Sequence, residues 1–261
     1  MISGVMVTGA GGYLGKKICR KLLNSGYGVL AIDIDSAALP GLKEIEPSER
    51  LVSCLIDITD RDALSAELPK YSTAFQKFTG LVNCISSNGI DGQELHAEFE
   101  RYDVETWRRL LDINVTGVFL AIQGFKNYLY SSGPASIVNL GSIYGSMGTD
   151  HRIYERTNRV RNRRQNNPAA YSASKGAILA LSRHLAALWG PDQIRVNSVS
   201  PGGVWNSNMS TEFVADYSER VPLRSMVKAE TVGEVVEFLL SDRSSDITGQ
   251  DWLVDGGLSA W

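Results

Sequence analysis

A tyrosine and a lysine stand four residues apart in Tyr171-Ser172-Ala173-Ser174-Lys175, where the apolar pattern of Ala170 to Leu188 begins. On a helix an i, i+4 pair shares one face. A phenol titrates at ~10, so it moves protons near neutrality only when its charged form is favoured, which a nearby ammonium group can do. The pair therefore points to general acid–base chemistry, with Lys175 also able to hold a ribose. Taken alone, the same spacing recurs on many helices with no role beyond structure. Ser142 closes Ile137-Val138-Asn139-Leu140-Gly141-Ser142, a strand pattern running into a glycine-containing loop. There it could hydrogen-bond a substrate oxygen and steady the charge developing on it. Asn114, within Leu111-Asp112-Ile113-Asn114-Val115-Thr116-Gly117, interrupts an apolar helical stripe; a satisfied core amide is the plain alternative.

A second group of residues could hold a nucleotide. Thr8-Gly9-Ala10-Gly11-Gly12-Tyr13-Leu14-Gly15 follows the apolar run Gly4 to Val7 and leads into a helical pattern. Glycines let backbone turn tightly against a pyrophosphate, and a helix N-terminus offers free N–H groups and a favourable dipole. A glycine cluster equally joins strands to helices with no ligand, so its setting decides. Asp33 ends the second apolar run eighteen residues after Gly15, where a carboxylate can accept both ribose hydroxyls. Ile34 follows it, and the turn holds no Arg or Lys before Lys16. A 2′-phosphate would be repelled by Asp33, so the expected cofactor is NAD rather than NADP. Asp57, with Ile58 beside it, could accept from an adenine amino group or cap the helix expected from Asp60.

The elements that must carry these residues alternate. Short apolar runs at Gly4 to Val7, Val29 to Ile32, Leu51 to Ile56, Gly80 to Ile85, Ser136 to Leu140, Arg195 to Val199 and Asp251 to Val254 are predicted strands. Helical patterns occupy Leu14 to Asn24, Asp60 to Tyr71, Val104 to Tyr130, Ala170 to Leu188 and Thr231 to Ser241. The order implies an α/β fold: one Rossmann-type, doubly wound parallel sheet with helices on both faces, forming a single domain over residues 1–261. Two segments depart from the rhythm. Residues 149–168 carry six arginines against Asp150 and Glu155, a surplus of about four positive charges. Residues 205–228 mix Asn, Ser and Met with Trp205, Phe213 and Tyr217 and are expected to form a mobile substrate lid.

Composition excludes several classes. The chain has 261 residues, 43% of them hydrophobic, and a formal net charge of −3, enough to bury a core and no footprint for nucleic acid or an anionic membrane. No apolar stretch approaches the ~20 residues that span a bilayer. The opening Val5-Met6-Val7-Thr8-Gly9 lacks the pattern of a signal peptide, so a cytoplasmic protein is expected. Cys19, Cys54 and Cys84 show no CxxC spacing and read as reduced core residues. His96, His151 and His184 show no metal-ligand spacing, so no catalytic metal is expected; His151 alone falls in the Arg-rich segment. Trp252 and Trp261 are expected in the core or a subunit contact.

Taken together, the glycine turn, Asp33, Asp57, Asn114, Ser142, Tyr171 with Lys175, Ile194-Arg195-Val196-Asn197-Ser198-Val199-Ser200-Pro201-Gly202 and the closing Thr248-Gly249-Gln250-Asp251 to Asp255-Gly256-Gly257 resemble a classical-type short-chain dehydrogenase/reductase over nearly the whole chain. The resemblance implies an NAD-dependent enzyme interconverting a secondary alcohol and a ketone. Tyr171 would be the acid/base, Lys175 would lower its pKa and bind ribose, Ser142 would orient the carbonyl, and Asn114 would support a water-linked proton relay. Gly9, Gly12, Tyr13, Leu14, Asp33, Asp57, Ile58, Asn83, Tyr171, Lys175, Pro201, Gly202 and Val204 would surround the cofactor. A homodimer or homotetramer is implied too.

Three departures qualify the resemblance. The spacing Gly9-x-x-Gly12-x-x-Gly15 is typical of the extended branch, which includes sugar-nucleotide epimerases and dehydratases. Asn83-Cys84-Ile85-Ser86 stands where classical members carry Asn-Asn-Ala-Gly. Ser142 and Tyr171 lie 29 residues apart because the Arg-rich segment intervenes, and it must emerge at the mouth of the site. The motifs around Ser142-Ile143-Tyr144-Gly145, Ile153-Tyr154-Glu155-Arg156-Thr157 and Pro201-Gly202-Gly203-Val204 are similar to a subgroup linked to flagellin modification and surface-glycan sugars. On that reading Ser142, Tyr144, Trp205 and the forks of Arg161, Arg163 and Arg164 would contact an anionic sugar-like substrate; a solvated loop or an oligomer contact is the alternative for the arginines. Two other functions stay open: an epimerase or dehydratase using transient oxidation by bound NAD, and a non-catalytic NAD-binding scaffold.

Overall fold

The computed structural model describes residues 2–39, 41–42, 49–87, 98–155, 158–159 and 167–261. Seven strands form one sheet: β1 (Ser3–Thr8), β2 (Gly28–Asp33), β3 (Leu51–Leu55), β4 (Lys77–Asn83), β5 (Ala135–Leu140), β6 (Ile194–Pro201) and β7 (Asp251–Val254). Their order is β3-β2-β1-β4-β5-β6-β7, and every pair is parallel. The predicted Rossmann-type sheet is thus observed, each predicted strand lying within two or three residues of its element.

Helices cover both faces. They are α1 (Tyr13–Asn24), α2 (Arg61–Glu67), α3 (Val104–Leu111), α4 (Gly117–Tyr130), α5 (Ala169–Trp189), α6 (Thr211–Glu219) and α7 (Ala229–Leu240). Successive strand residues point to opposite faces. Met6, Leu30, Leu81 and Ile137 join Phe125, Leu129 and Ile178 on one side. Val5, Val29, Val82 and Val138 meet Ile18, Leu22, Val232 and Leu239 on the other. Each such buried side chain contributes about 1.5–3 kcal/mol, and burial on both faces is why the strands read as unbroken apolar runs.

Two elements differ from expectation. The helix expected over 104–130 is broken by a single π turn, Asp112–Thr116, whose buried residue is Asn114. Such turns insert one residue into a helix and re-aim its neighbours. Within 205–228, expected to be an irregular lid, the structure places α6, capped by the Ser210 hydroxyl, which accepts from the Phe213 N–H at 3.3 Å. Tyr217 on this helix packs with Ile143, Ile153, Tyr154, Val221, Met226 and Leu258 in a satellite core. The lid and the first residues of the Arg-rich segment therefore share one apolar cluster, and Tyr154 stacks on Phe213 with ring centroids 5.7 Å apart. Trp252 packs on Phe238. Trp261 is 73% exposed, its indole N–H donating to the Arg220 carbonyl, so of its two expected places, the core or a subunit contact, the core of the chain is not the one observed.

Candidate active site

Strand order reverses between β1 and β4, and a crevice opens beyond the carboxyl ends of strands at such a switch point. Here the crevice consists of two cavities of about 480 Å³ and 330 Å³ that share Gly9, Gly12, Cys84 and Ser86. The larger is lined by Asp33, Asp57, Ile58 and Ile113 among others. The smaller is lined by Tyr13, Leu14, Ser142, Tyr171, Lys175, Pro201, Gly202 and Val204. Four stretches predicted to act together thus meet in one cleft.

The turn between β1 and α1 needs its glycines. Gly9 has φ +66, and a Cβ there would lie 2.8 Å from the Ile85 backbone; at Gly15 a Cβ would lie 2.0 Å from the Gly9 carbonyl oxygen. Gly12 is the N-cap of α1 without a side-chain cap, and no acidic residue occupies the first turn, so its leading N–H groups are left for an anion. The Asp33 carboxylate accepts from the Gly11 N–H at 2.8 Å and the Asp35 N–H at 3.0 Å, and an ionised carboxylate has lone pairs to spare for ribose hydroxyls. The cleft therefore fits a dinucleotide, with the turn at its pyrophosphate and Asp33 at its adenosine ribose. Asp33→Asn is expected to weaken NAD binding by about 10–100-fold, the usual loss for a charged hydrogen-bond acceptor, and to narrow the preference over NADP. Isothermal titration with each cofactor checks both.

Asp57 lines the adenosine cavity while accepting from the Thr59 N–H at 2.9 Å and hydroxyl at 2.7 Å. The helix cap is Asp60, which accepts from Asp62 and Ala63, so the alternative reading of Asp57 as the cap is corrected. The buried side chain of Asn83 accepts from the Thr8 hydroxyl at 3.2 Å and donates to Asn139 Oδ1 at 2.8 Å. Asn139 in turn donates to the Ser182 hydroxyl at 2.9 Å. This polar ladder ties β1, β4, β5 and α5 together.

At the chemical end, Ser142 caps the short turn Ile143–Gly145 and is buried. Tyr171 and Lys175 rise from the first turns of α5. Burial pushes the Tyr171 phenol above its ordinary pKa, while hydrogen bonding from the Ser142 and Ser86 hydroxyls pulls it down. The Lys175 ammonium is 2% exposed and donates to the Leu140 carbonyl at 2.9 Å; burial brings its pKa down to about 8. Its nitrogen lies 5.6 Å from the Tyr171 ring centroid. Asn114 accepts from the Ser87 N–H at 2.7 Å and donates to the Ser87 carbonyl at 2.7 Å and to the Ser174 hydroxyl at 3.0 Å. It is a satisfied buried amide and, at once, a brace between the β4 loop and the helix of Tyr171.

Of the remaining predicted residues, Tyr144 and Trp205 are not among those lining the two cavities. Tyr144 hydrogen-bonds Tyr154, and Trp205 accepts the Tyr13 hydroxyl on its carbonyl at 2.8 Å, so the lid's first residue reaches back to the glycine turn. Arg161, Arg163, Arg164 and His96 lie outside the described residues. Of the described arginines in the segment, Arg152 forks onto Asp150 and Arg159 approaches Glu155. Cys84, expected in the core, lines both cavities. Ser86, visible in sequence only as a departure from the family motif, and Ser87 and Arg109, which sequence reading missed, also line the cleft. The rule that ligands sit beyond parallel strand ends could have flagged the first two; nothing distinguishes Arg109 from a solvated helix residue. Among the described residues, no group of three His, Cys, Asp or Glu side chains could hold a metal ion.

Comparison with known proteins agrees with this geometry. A family model described as enoyl-(acyl carrier protein) reductase matches residues 9–259. The chain belongs to the short-chain dehydrogenase/reductase family. It is 32% identical to galactitol 2-dehydrogenase (L-tagatose-forming) of Cereibacter sphaeroides, covering 98% of this chain and 94% of that one. It is 32% identical to post-translational flagellin modification protein A of Campylobacter coli, covering 97% and 96%. The crystal structure of a short chain dehydrogenase from Leptospira borgpetersenii with bound NAD+ superposes with a TM-score of 0.85 at 28% identity, covering 99% of this chain and 93% of that one. The chain is accordingly an oxidoreductase of secondary alcohols.

Proposed function

We propose that this dehydrogenase interconverts a secondary alcohol and a ketone on a polar, sugar-like substrate, anionic sugar derivatives among them, releasing its nucleotide between turnovers. The cofactor is NAD, which when bound supplies the carbon that accepts or returns hydride. The observation that carries the reading is the convergence of Tyr171, Ser142 and Lys175 on the cavity that continues into the Asp33 cleft. In oxidation the Tyr171 oxygen takes the alcohol proton, and in reduction its hydroxyl returns it. Ser142 donates to the substrate oxygen, and the Lys175 ammonium, fixed on Leu140, presents its other N–H bonds to the nicotinamide ribose. The walls of the cleft orient the reacting carbon and exclude water.

The sugar-like part of the proposal is supported by the polyol dehydrogenase and the flagellin modification protein among the relatives. The arginines of the inserted segment at 149–168, Arg161, Arg163 and Arg164 among them, are proposed to select anionic groups, beside a lid at 205–228. Exposed Phe119, Tyr130 and Leu188 on α4 and α5 support a homodimer or homotetramer. No described helix is long and apolar enough to cross a membrane, and the proposed setting is cytoplasmic.

The experiment is NADH formation with polyols, sugar acids and sugar phosphates against simple neutral alcohols, repeated after neutralising the three arginines. A preference of at least tenfold for the sugar derivatives, weakened for the anionic ones in the variant, is expected. Equal rates across the panel would remove the substrate assignment, and product formed with no free NADH would turn the reading towards transient oxidation in an epimerase.

A further inference from the structure

We infer that Tyr217, on helix α6, is a positioning residue for the cofactor: its ring and hydroxyl set the Pro201–Val204 turn that lines the reacting end of the cleft, and so tie the grip on the nicotinamide half of NAD to the place of α6. The inference deepens the dehydrogenase reading and rests on it for its kinetic consequence, while the contact itself is tested by binding alone.

Pro201, Gly202 and Val204 line the smaller cavity with Ser142, Tyr171 and Lys175. The backbone of this turn is held on both sides. The Gly202 N–H donates to the Val254 carbonyl at 2.9 Å, and Val227 donates its N–H to the Gly203 carbonyl at 2.9 Å while accepting from the Trp205 N–H at 2.9 Å. Those contacts run from backbone to backbone and would form with many sequences. The Gly203 N–H differs, because it donates to the hydroxyl of Tyr217, a side chain of another element that is 3% exposed. The fit around this tyrosine is close. A Cβ at Gly203 would lie 2.6 Å from Tyr217 Cζ and 2.8 Å from Met226 Cε, and one at Gly202 would lie 3.1 Å from the Tyr217 hydroxyl oxygen and 3.0 Å from Asp255 Cβ. Neither glycine has a positive φ, so what both supply is room for the tyrosine beside them, not backbone freedom.

Tyr217 lines neither cavity, so it acts on the cofactor through the turn and not by contact. What it transmits is the place of α6, which is fixed from outside the cleft. The Phe213 ring lies against that of Tyr217, with centroids 6.0 Å apart, and stacks on Tyr154. Just beyond the helix, Arg220 pairs with Asp150 at 3.2 Å, and the Trp261 indole N–H donates to the Arg220 carbonyl at 3.1 Å. Val221, Met226 and Leu258 pack with Tyr217 in the satellite core. The first part of the inserted segment, α6 and the chain end thus form one packed body, and Tyr217 joins that body to the turn by a buried hydrogen bond. A buried N–H left without an acceptor is driven to find another, so without the hydroxyl the turn leaves its place at the reacting end.

The test compares NADH with ADP-ribose, which lacks the nicotinamide, by isothermal titration of Tyr217→Phe, which deletes only the hydroxyl, and of Gly203→Ala, which sets a methyl against the ring. NADH affinity should fall by about 10-fold in each, the loss of one hydrogen bond, with ADP-ribose affinity changed by less than about twofold. Because both substitutions break one contact, the double variant should bind NADH within about twofold of the weaker single one. In wild type, independently of any variant, amide hydrogen exchange over residues 211–219 should slow when NADH binds and stay unchanged with ADP-ribose. A Tyr217→Phe protein with wild-type NADH affinity, an equal loss for both ligands, or exchange in α6 indifferent to NADH would overturn the inference. At saturating NAD, kcat for alcohol oxidation should also fall about 10-fold in Tyr217→Phe, since a displaced turn misaligns the reacting carbon. A wild type that oxidises no alcohol would sink the dehydrogenase reading instead, with the two affinities still deciding the role of Tyr217.

Discussion

Tyr171→Phe should bind NAD almost as wild type does and yet turn over about 10³-fold more slowly in both directions. The substitution deletes one oxygen from a half-buried ring and leaves the helical turn around it intact, since that turn is held by Ser174 and by the Tyr171 backbone N–H bond to Pro168. What disappears is the group assigned to exchange a proton with the substrate oxygen, and positioned acid–base groups are worth about 10²–10⁴ in rate. The residual rate would come from orientation and from Ser142. The pH profile carries the sign. Burial raises the phenol above its ordinary value, so it is protonated at neutrality and ready as an acid for ketone reduction. Oxidation needs the phenolate and should accelerate as pH climbs. In the variant both slopes should vanish, leaving a flat residual rate. Stopped-flow NADH absorbance across pH, with fluorescence titration of NAD, separates the two effects. A variant that keeps its pH slope, or one that loses NAD affinity in proportion to rate, would contradict the role assigned to Tyr171.

Much of this arrangement was legible because the physics that builds a parallel sheet also writes its sequence. Strands buried on both faces, such as β5, are mostly apolar, their few polar side chains held in buried hydrogen bonds, and a nucleotide cleft at the switch point needs glycines after β1 and an acid after β2. Those constraints act over a few adjacent residues. Asn83 shows where such reasoning stops: nothing in an amide at a strand end tells that it donates sideways to Asn139. The partner lies in the neighbouring strand.

The π turn at Asn114 had no signature either, because one inserted residue barely disturbs an apolar stripe whose period is read over several turns. Helix α6 was hidden for a different reason. Its inward residues, Phe213, Val214 and Tyr217, meet a small satellite core built partly from Ile153 and Tyr154, so its pattern does not repeat that of the sheet-packed helices. Ser86 was visible as a departure from the family motif, yet its place in the cleft depends on residues brought to it from distant sequence. Specificity is encoded in loops whose lengths vary, and in Arg161, Arg163 and Arg164 sequence reading has its furthest reach and its least structural support.

Removing the Lys175 ammonium is expected to destroy activity and, at the same time, to stabilise the cofactor-free protein. Lys175 is 2% exposed, and among the described residues its ammonium donates to the Leu140 carbonyl. Burial lowers its pKa from 10.5 to about 8. Below pH 8 the folded and unfolded chains both carry the proton, so folding bears the full cost of burying the charge, on the order of 3 kcal/mol. Between 8 and 10.5 the unfolded chain holds more protons than the folded one, so stability rises with pH and the penalty fades. Lys175→Met keeps the stem of the side chain and deletes the charge, at the expense of an unpaired Leu140 carbonyl worth about 1–2 kcal/mol. A net gain of about 1–2 kcal/mol at pH 7 follows, a rise in Tm of roughly 2–6 °C for a chain of this size, shrinking as pH approaches 10. The raised tyrosines 144, 154, 171 and 217 titrate in both proteins and cancel in the difference. Saturating NAD should close the gap by binding wild type more tightly, since ribose hydroxyls can accept the remaining N–H bonds of Lys175. Thermal melts at pH 7 and 10, with and without NAD, measure all of this. A variant less stable than wild type at pH 7, or a difference independent of pH, would mean that the lysine stabilises the fold and that the charge in the cleft is not held there at the expense of stability.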